Sequence, residues 1–179
     1  MTTRGFTLFP TAIGICGIAW SERGVLGLHL PDTDGSDTRA RLARRFPGAV
    51  DSEPPAAVQQ AIDAITALLD GRRVDLSAVA LDMEALPPFH RRVYDAARRI
   101  PAGRTRTYGE IAAEIGEADA RAVGQALGHN PYAIIVPCHR VLAAGGQAGG
   151  FSAPGGVQTK LRLLAIERAR PHGEPDLFD

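Results

Sequence analysis

From Phe6 to Leu30 apolar residues alternate loosely with small or polar ones, the period-two pattern of strands with one buried face. Ser21-Glu22-Arg23-Gly24 interrupts that pattern as a turn, so a β-hairpin is predicted. The period then changes. Leu42 and Phe46 within Asp37 to Phe46, and Val58, Ile62, Ile65 and Leu69 within Pro55 to Leu69, recur at helical spacing, and Gly48 and Gly71 follow as stops. Residues 1–85 therefore read as a small α/β unit. After Leu86-Pro87-Pro88 the pattern is mostly helical. Phe89 to Ile100 carries Val93, Ala96, Ala97 and Ile100 on one face, and Pro101 stops it because proline cannot continue a helix. A second unit is predicted over residues 86–170, and residues 171–179 read as a flexible acidic tail.

Two shorter helices follow. Thr107 to Gly116 begins at a threonine cap and ends at a glycine; a second helix begins within Glu117-Ala118-Asp119 and runs through Leu127 to end near Gly128. Two short helices around a tight turn suit a helix-turn-helix. The second is unusual for a major-groove reader, because Ala122, Gly124 and Ala126 are small and only Arg121 and Gln125 are long and polar. Small residues permit close backbone approach, which suits the narrow minor groove, with Arg121 long enough to probe the base stack. The plain alternative is that the small residues pack helix on helix and Arg121 is solvated.

Length and composition add limits. A chain of 179 residues can bury a substantial core in one large unit or two small ones, and no apolar run is long enough to span a bilayer. Met1 to Pro10 lacks the basic start and apolar core of a signal peptide. Cys16 and Cys138 are too few for a disulfide framework and lack zinc spacing, so a reducing cytoplasm is expected. Formal net charge is zero. That average hides a division: residues 1–85 hold eight arginines against eleven acids, whereas residues 86–170 hold twelve basic residues against six acidic ones. Charge asymmetry of this kind points to a polyanionic partner, although arginines solvating helix faces would also produce it.

The chemistry is concentrated near Pro137-Cys138-His139-Arg140-Val141. Ala133 to Val136 is apolar and predicts a buried strand or extended segment, and Pro137 withholds the next amide from a ladder, so Cys138 should sit where the chain leaves the core. A cysteine of ordinary pKa is only slightly ionised at neutral pH, so a reactive one needs a base or a positive neighbour. His139 is adjacent, but neighbouring side chains on an extended segment point to opposite faces. A bridging water or a third group such as Glu167 would be needed to orient the imidazole.

Pro137-Cys138-His139-Arg140-Val141 resembles the acceptor motif of the O6-alkylguanine-DNA alkyltransferases, the methylated-DNA–protein-cysteine methyltransferases. The similarity extends from about Phe89 to Glu167 through "IPAGRTRTYGEIA", "RAVGQALGHNP", "IIVPCHRV" and "GGFSAPGGVQTKLRLLAIE", in the family's order and near its spacing. The resemblance implies a ribonuclease H-like α/β N-terminal domain and a mostly helical C-terminal domain with a helix-turn-helix of winged-helix type. It implies that Cys138 takes the alkyl group from O6 of guanine, with O4 of thymine as a second candidate, once and irreversibly. By the same resemblance His139 would remove the thiol proton through a water, Glu167 would orient the imidazole, Tyr108 would help protonate the leaving guanine, and Asn130 would hold the turn.

The DNA-facing set implied by the resemblance is Arg121, Tyr108, Thr107, Ala122, Gly124, Gln125, Arg106 and Arg140, with Arg121 filling the gap left by a flipped nucleotide. Ala133, Val136, Gly149, Gly150, Phe151 and Ser152 would line the substrate pocket, and their small members imply room for a benzyl group. The implied partner is alkylated double-stranded DNA, approached from the minor groove by a monomer, with no cofactor, no metal and no membrane. Departures from the family pattern are Tyr94 for a common Trp, Ala102 for a frequent Tyr, Phe151 for the usual Tyr, and the insertion Ala153-Pro154. Two other classes remain: a lesion binder that does not repair, against which Cys138 argues, and a Cys-His hydrolase, which would need an oxyanion hole and repeated turnover.

Overall fold

The computed structural model describes residues 3–32, 37–117 and 119–169. Three strands, β1 (Arg4–Thr11), β2 (Gly14–Ser21) and β3 (Gly24–His29), form an antiparallel meander, and β4 (Ala49–Asp51) joins β1 in parallel, giving the order β3-β2-β1-β4. The turn at Ser21 to Gly24 is where the sequence places it. The hairpin expectation nevertheless undercounts, because a second reversal at Thr11 to Gly14 divides the first strand region in two. Gly14 takes a φ of 121° there, which glycine alone adopts easily.

Helix α1 (Thr38–Arg45) starts at Asp37, whose carboxylate accepts from the amides of Arg39 and Ala40. It lies close on the sheet because Gly17 and Gly27 have no side chain: a Cβ at Gly17 would collide with Leu42, and one at Gly27 with the Phe46 ring. Helix α2 (Ala56–Leu69) buries Val58, Ile62, Ile65 and Leu69, the spacing read from the sequence.

The second half contributes α3 (Pro88–Arg98), α4 (Tyr108–Glu114), α5 (Ala120–Gly128) and α6 (Gly156–Ile166). Thr107 caps α4 by accepting from Glu110 N at 3.1 Å, and Asp119 caps α5 by accepting from Arg121 N at 2.8 Å. The Tyr94 hydroxyl donates to Ala126 O at 2.6 Å, tying α3 to α5 in the core. Strands β5 (Arg106–Thr107) and β6 (Val141–Leu142) pair in parallel and bring the start of α4 beside the Cys138 segment.

Both halves share one contiguous core that runs from Ile18 and Leu28 through Ile65 and Tyr94 to Val136 and Leu163. A backbone bridge from Leu28 to Tyr132, and the hydrogen bond from Leu28 N to Pro131 O at 2.9 Å, fix β3 against the turn that precedes Cys138. Residues 133–136 are buried as expected but are not a strand. They turn sharply, with Ile135 N on Ala133 O, Val136 N on Tyr132 O, and Ile134 at a φ of 72°. The expected tail at 171–179 and Ala118 at the expected start of α5 lie outside the described residues.

Candidate active site

Cys138 opens a single 3-10 turn, Cys138–Arg140, so its neighbour His139 is not on an extended segment and turns inward to full burial. Asn130 organises the approach. Its Oδ1 accepts from Tyr132 N at 2.9 Å, while Nδ2 donates to Val136 O at 2.9 Å and to Cys138 Sγ at 3.3 Å. One amide thus holds both ends of the turn and points a donor at the sulfur, which stabilises a thiolate more than a thiol. Burial pushes the Cys138 thiol pKa up, and Asn130 and the Lys160 ammonium oppose that rise.

His139 Nε2 lies 2.8 Å from Glu167 Oε1, and both side chains are buried. Glu167 is also bound by Arg140, with Nε on Oε2 at 2.9 Å and Nη2 on Oε1 at 2.7 Å. Burial would raise the Glu167 carboxyl pKa; His139 and Arg140 together outweigh it and hold the group down to about 2. The carboxylate therefore stays ionised and takes the Nε2–H, which fixes the imidazole tautomer. Nδ1 is then a lone-pair acceptor, and it has no hydrogen-bond partner among the described residues. Burial lowers the His139 pKa against the pull of Glu167, so the ring is neutral at physiological pH and its Nδ1 lone pair is free to accept a proton.

Lys160, on α6, is the cation at this site that the sequence reading missed. It is fully buried, with Nζ donating to Val141 O at 2.7 Å and Gly150 O at 3.3 Å, and it lies 5.7 Å from the Tyr108 ring centroid. Burial lowers its pKa to about 8, and the Cys138 charge acts in the opposite sense. Tyr108 is the first residue of α4; burial, then the Cys138 charge, raises its phenol pKa, so it is a proton donor and not a phenolate.

Cys138 is reached from two sides. A cavity of about 470 Å³ runs along Tyr108, Gly124, Leu127 and Gly150, and another of about 300 Å³ runs toward Ala133, Pro154 and the N-terminal sheet; Gly128, Phe151 and Ser152 border both. Gly124 faces Tyr108, with room for ordinary contact only. Arg121 and Gln125 are exposed on α5, as a DNA-facing role requires, and Ala122 beside them is half-buried. Val136 is fully buried and meets the site through its carbonyl, not as a pocket wall.

Three further expectations change. Arg140 was assigned to the DNA-facing set, but its guanidinium is buried and committed to Glu167 and to Ile100 O at 2.7 Å, which removes it from any phosphate. Arg106 is half-buried and ion-paired with Glu114, so a phosphate would have to compete for it. Gly149 has a φ of 68° and lines neither cavity at Cys138; a Cβ there would come within 3.1 Å of Tyr108 Oη, so its bare backbone makes room for the tyrosine.

Residues 88–169 match the family model described as 6-O-methylguanine DNA methyltransferase, DNA binding domain. The chain is 36% identical over 158 residues to the methylated-DNA–protein-cysteine methyltransferase of Methanothermobacter thermautotrophicus, spanning 88% of this chain and 82% of that one. It is 45% identical over 126 residues to the protein of the same name from Mycobacterium tuberculosis strain H37Rv, spanning 70% and 74%. The crystal structure of Mycobacterium tuberculosis OGT in complex with DNA superposes with a TM-score of 0.73 at 36% identity, over 92% of each chain.

Proposed function

The chain belongs to the methylated-DNA–protein-cysteine methyltransferases, and we propose that its direct reversal of O6-alkylguanine in DNA runs through Cys138 as the acceptor. One relationship carries the assignment: His139 has one ring nitrogen fixed by Glu167 and the other unpaired among the described residues, and the residue before it, Cys138, borders two cavities. The reaction is a displacement on saturated carbon. It needs a soft nucleophile and a protonated leaving base, and no oxyanion hole.

In this reading Nδ1 of His139 takes the thiol proton, directly or through one water, and the Glu167 carboxylate balances the imidazolium that forms. Asn130 Nδ2 and the Lys160 ammonium stabilise the thiolate as its proton leaves. The S–C bond forms as the C–O6 bond breaks, the electron pair stays on the guanine, and Tyr108 supplies a proton to the base. The thioether is stable, so each molecule acts once. A Cys-His hydrolase is disfavoured because donors at the sulfur side are Asn130 and Lys160 and serve the nucleophile, not a carbonyl oxygen.

The target carbon is inaccessible to a protein sulfur inside a duplex, so the nucleotide must be extruded. α4 and α5, with exposed Arg121 and Gln125, are read as the helix-turn-helix that enters the minor groove, and the neighbouring β5 and β6 support a winged type. The strand order β3-β2-β1-β4, antiparallel but for the last pair, supports a ribonuclease H-like N-terminal unit over residues 1–85, joined to a 86–170 acceptor unit. A complete set of groups lies within one chain, which supports action as a monomer. Both cysteines are unpaired, which supports a reducing cytoplasm, and no described helix is long and apolar enough to cross a membrane. The test is a duplex carrying O6-methylguanine: Cys138→Ser should bind it and transfer nothing, because a hydroxyl is far less ionised than a thiol.

A further inference from the structure

We propose that the cavity on the N-terminal side of Cys138 receives the substituent carried by O6, and that Arg45 at its end selects alkyl groups that terminate in a carboxylate. The proposal deepens the alkyltransferase reading and rests on it. Two cavities meet at Cys138. The larger is lined by Tyr108, Gly124 and Leu127 and, among the described residues, by no charged side chain, as a chamber for a planar base requires. With the base there, everything beyond the reacting carbon must extend into the second cavity, of about 300 Å³, which ends at His29, Leu30 and Arg45.

Among the described residues no aspartate or glutamate lines that second cavity. His29 is held by Asp32, at 3.1 Å from Nε2 to Oδ1, and Asp32 also takes Arg41 and Thr38, so its charge is spent behind the wall. Arg45 differs. It lies over the Phe46 ring at 5.0 Å, donates Nη2 to Pro131 O at 3.1 Å, and no carboxylate pairs with it among the described residues. Its remaining N–H groups form the planar fork that suits a carboxylate. The backbone that carries it is held in place, because α1 is pressed onto the sheet at Gly17 and Gly27 and β3 is bridged to Tyr132, while Arg45 itself is open to solvent.

The chemistry gives the arginine a purpose. A thiolate approaching a carbon that bears a nearby carboxylate meets like-charge repulsion, which a cation at the far end of the substituent relieves. The S–C bond forms and the C–O6 bond breaks with the pair retained by guanine, which takes the proton; the carboxylate remains ionised on the new S-(carboxyalkyl)cysteine.

The experiment measures transfer to the whole chain from duplexes carrying O6-methylguanine, O6-(ω-carboxypropyl)guanine, or the primary amide of the latter, which has the same shape and no charge. Transfer of the carboxylate is expected to exceed that of the amide by roughly tenfold, the worth of one charge-assisted hydrogen bond. Arg45→Gln should bring that ratio to about one, and Arg45→Lys should retain part of it. Methyl transfer with equal carboxylate and amide rates in the unmodified chain overturns this proposal alone. A ratio that survives in Arg45→Gln, with folding confirmed by thermal melting, reduces Arg45 to a clasp on Pro131. Loss of methyl transfer itself overturns the underlying reading.

Discussion

His139 Nε2 and Glu167 Oε1 are 2.8 Å apart inside the core, and that contact decides which nitrogen of the imidazole faces the chemistry. Glu167→Gln keeps the shape but can present its amide N–H to the ring, which favours the wrong tautomer. Alkyl transfer at pH 7 should fall by about a hundredfold or more, in the range lost with a general base. Single-turnover rates at saturating DNA will measure it, and an unchanged rate would detach His139 from proton transfer.

The same carboxylate makes stability depend on acid. Its folded pKa, about 2, lies below that of an unfolded glutamate, so its stabilisation is present above pH about 4.5 and is lost as pH falls toward 2. Denaturant unfolding across that window should show the slope in the native chain and a flatter one in Glu167→Gln.

Arg140 and Arg121 should separate cleanly. Removing the buried guanidinium in Arg140→Ala leaves Glu167 uncompensated and should destabilise the chain by about 3 kcal/mol or more. The salt dependence of DNA binding should be unaltered, since Arg140 meets no phosphate. Arg121→Ala should instead leave stability intact and slow repair of duplex DNA far more than alkylation by free O6-benzylguanine, which needs no flipping. Equal slowing of both substrates would make Arg121 a structural residue.

Lys160→Met tests the buried cation. It leaves the carbonyls of Val141 and Gly150 without a donor but also removes the burden of desolvating an ammonium, terms of similar size at about 1–3 kcal/mol each. Melting should therefore change little while alkyl transfer drops steeply. The native lysine pKa, about 8, lies below the unfolded value, so the native chain should gain stability as pH rises from 8 toward 10.5 and the variant should not.

Gly149→Ala tests the seat of Tyr108. Its positive φ and its approach to Tyr108 Oη predict slower transfer of methyl and benzyl groups alike. Selective loss of benzyl transfer would instead show that this position limits substituent size, as the side-chain volumes alone imply.

Most helices were legible because their ends carry chemistry: Asp37, Thr107 and Asp119 cap, and Pro101 stops. The run at 133–136 was not, since an uninterrupted apolar segment has no period, and nothing marks Ile134 as the residue that adopts a left-handed backbone. Arg140 looked like a surface arginine beside a motif in a basic half; its burial depends on Glu167, 27 residues away in sequence. Lys160 left a readable trace. It is the only lysine in a chain otherwise supplied with arginine, which fits a site where a compact ammonium is accepted and a guanidinium is not.

The central claim is that Cys138 keeps the alkyl group. Intact-mass and peptide analysis after incubation with excess O6-methylguanine duplex tests it most directly. One methyl group on the Cys138 peptide, in a single burst of one equivalent with no further demethylation, is the expected result; continued turnover, or a methyl group on any other residue, would contradict it.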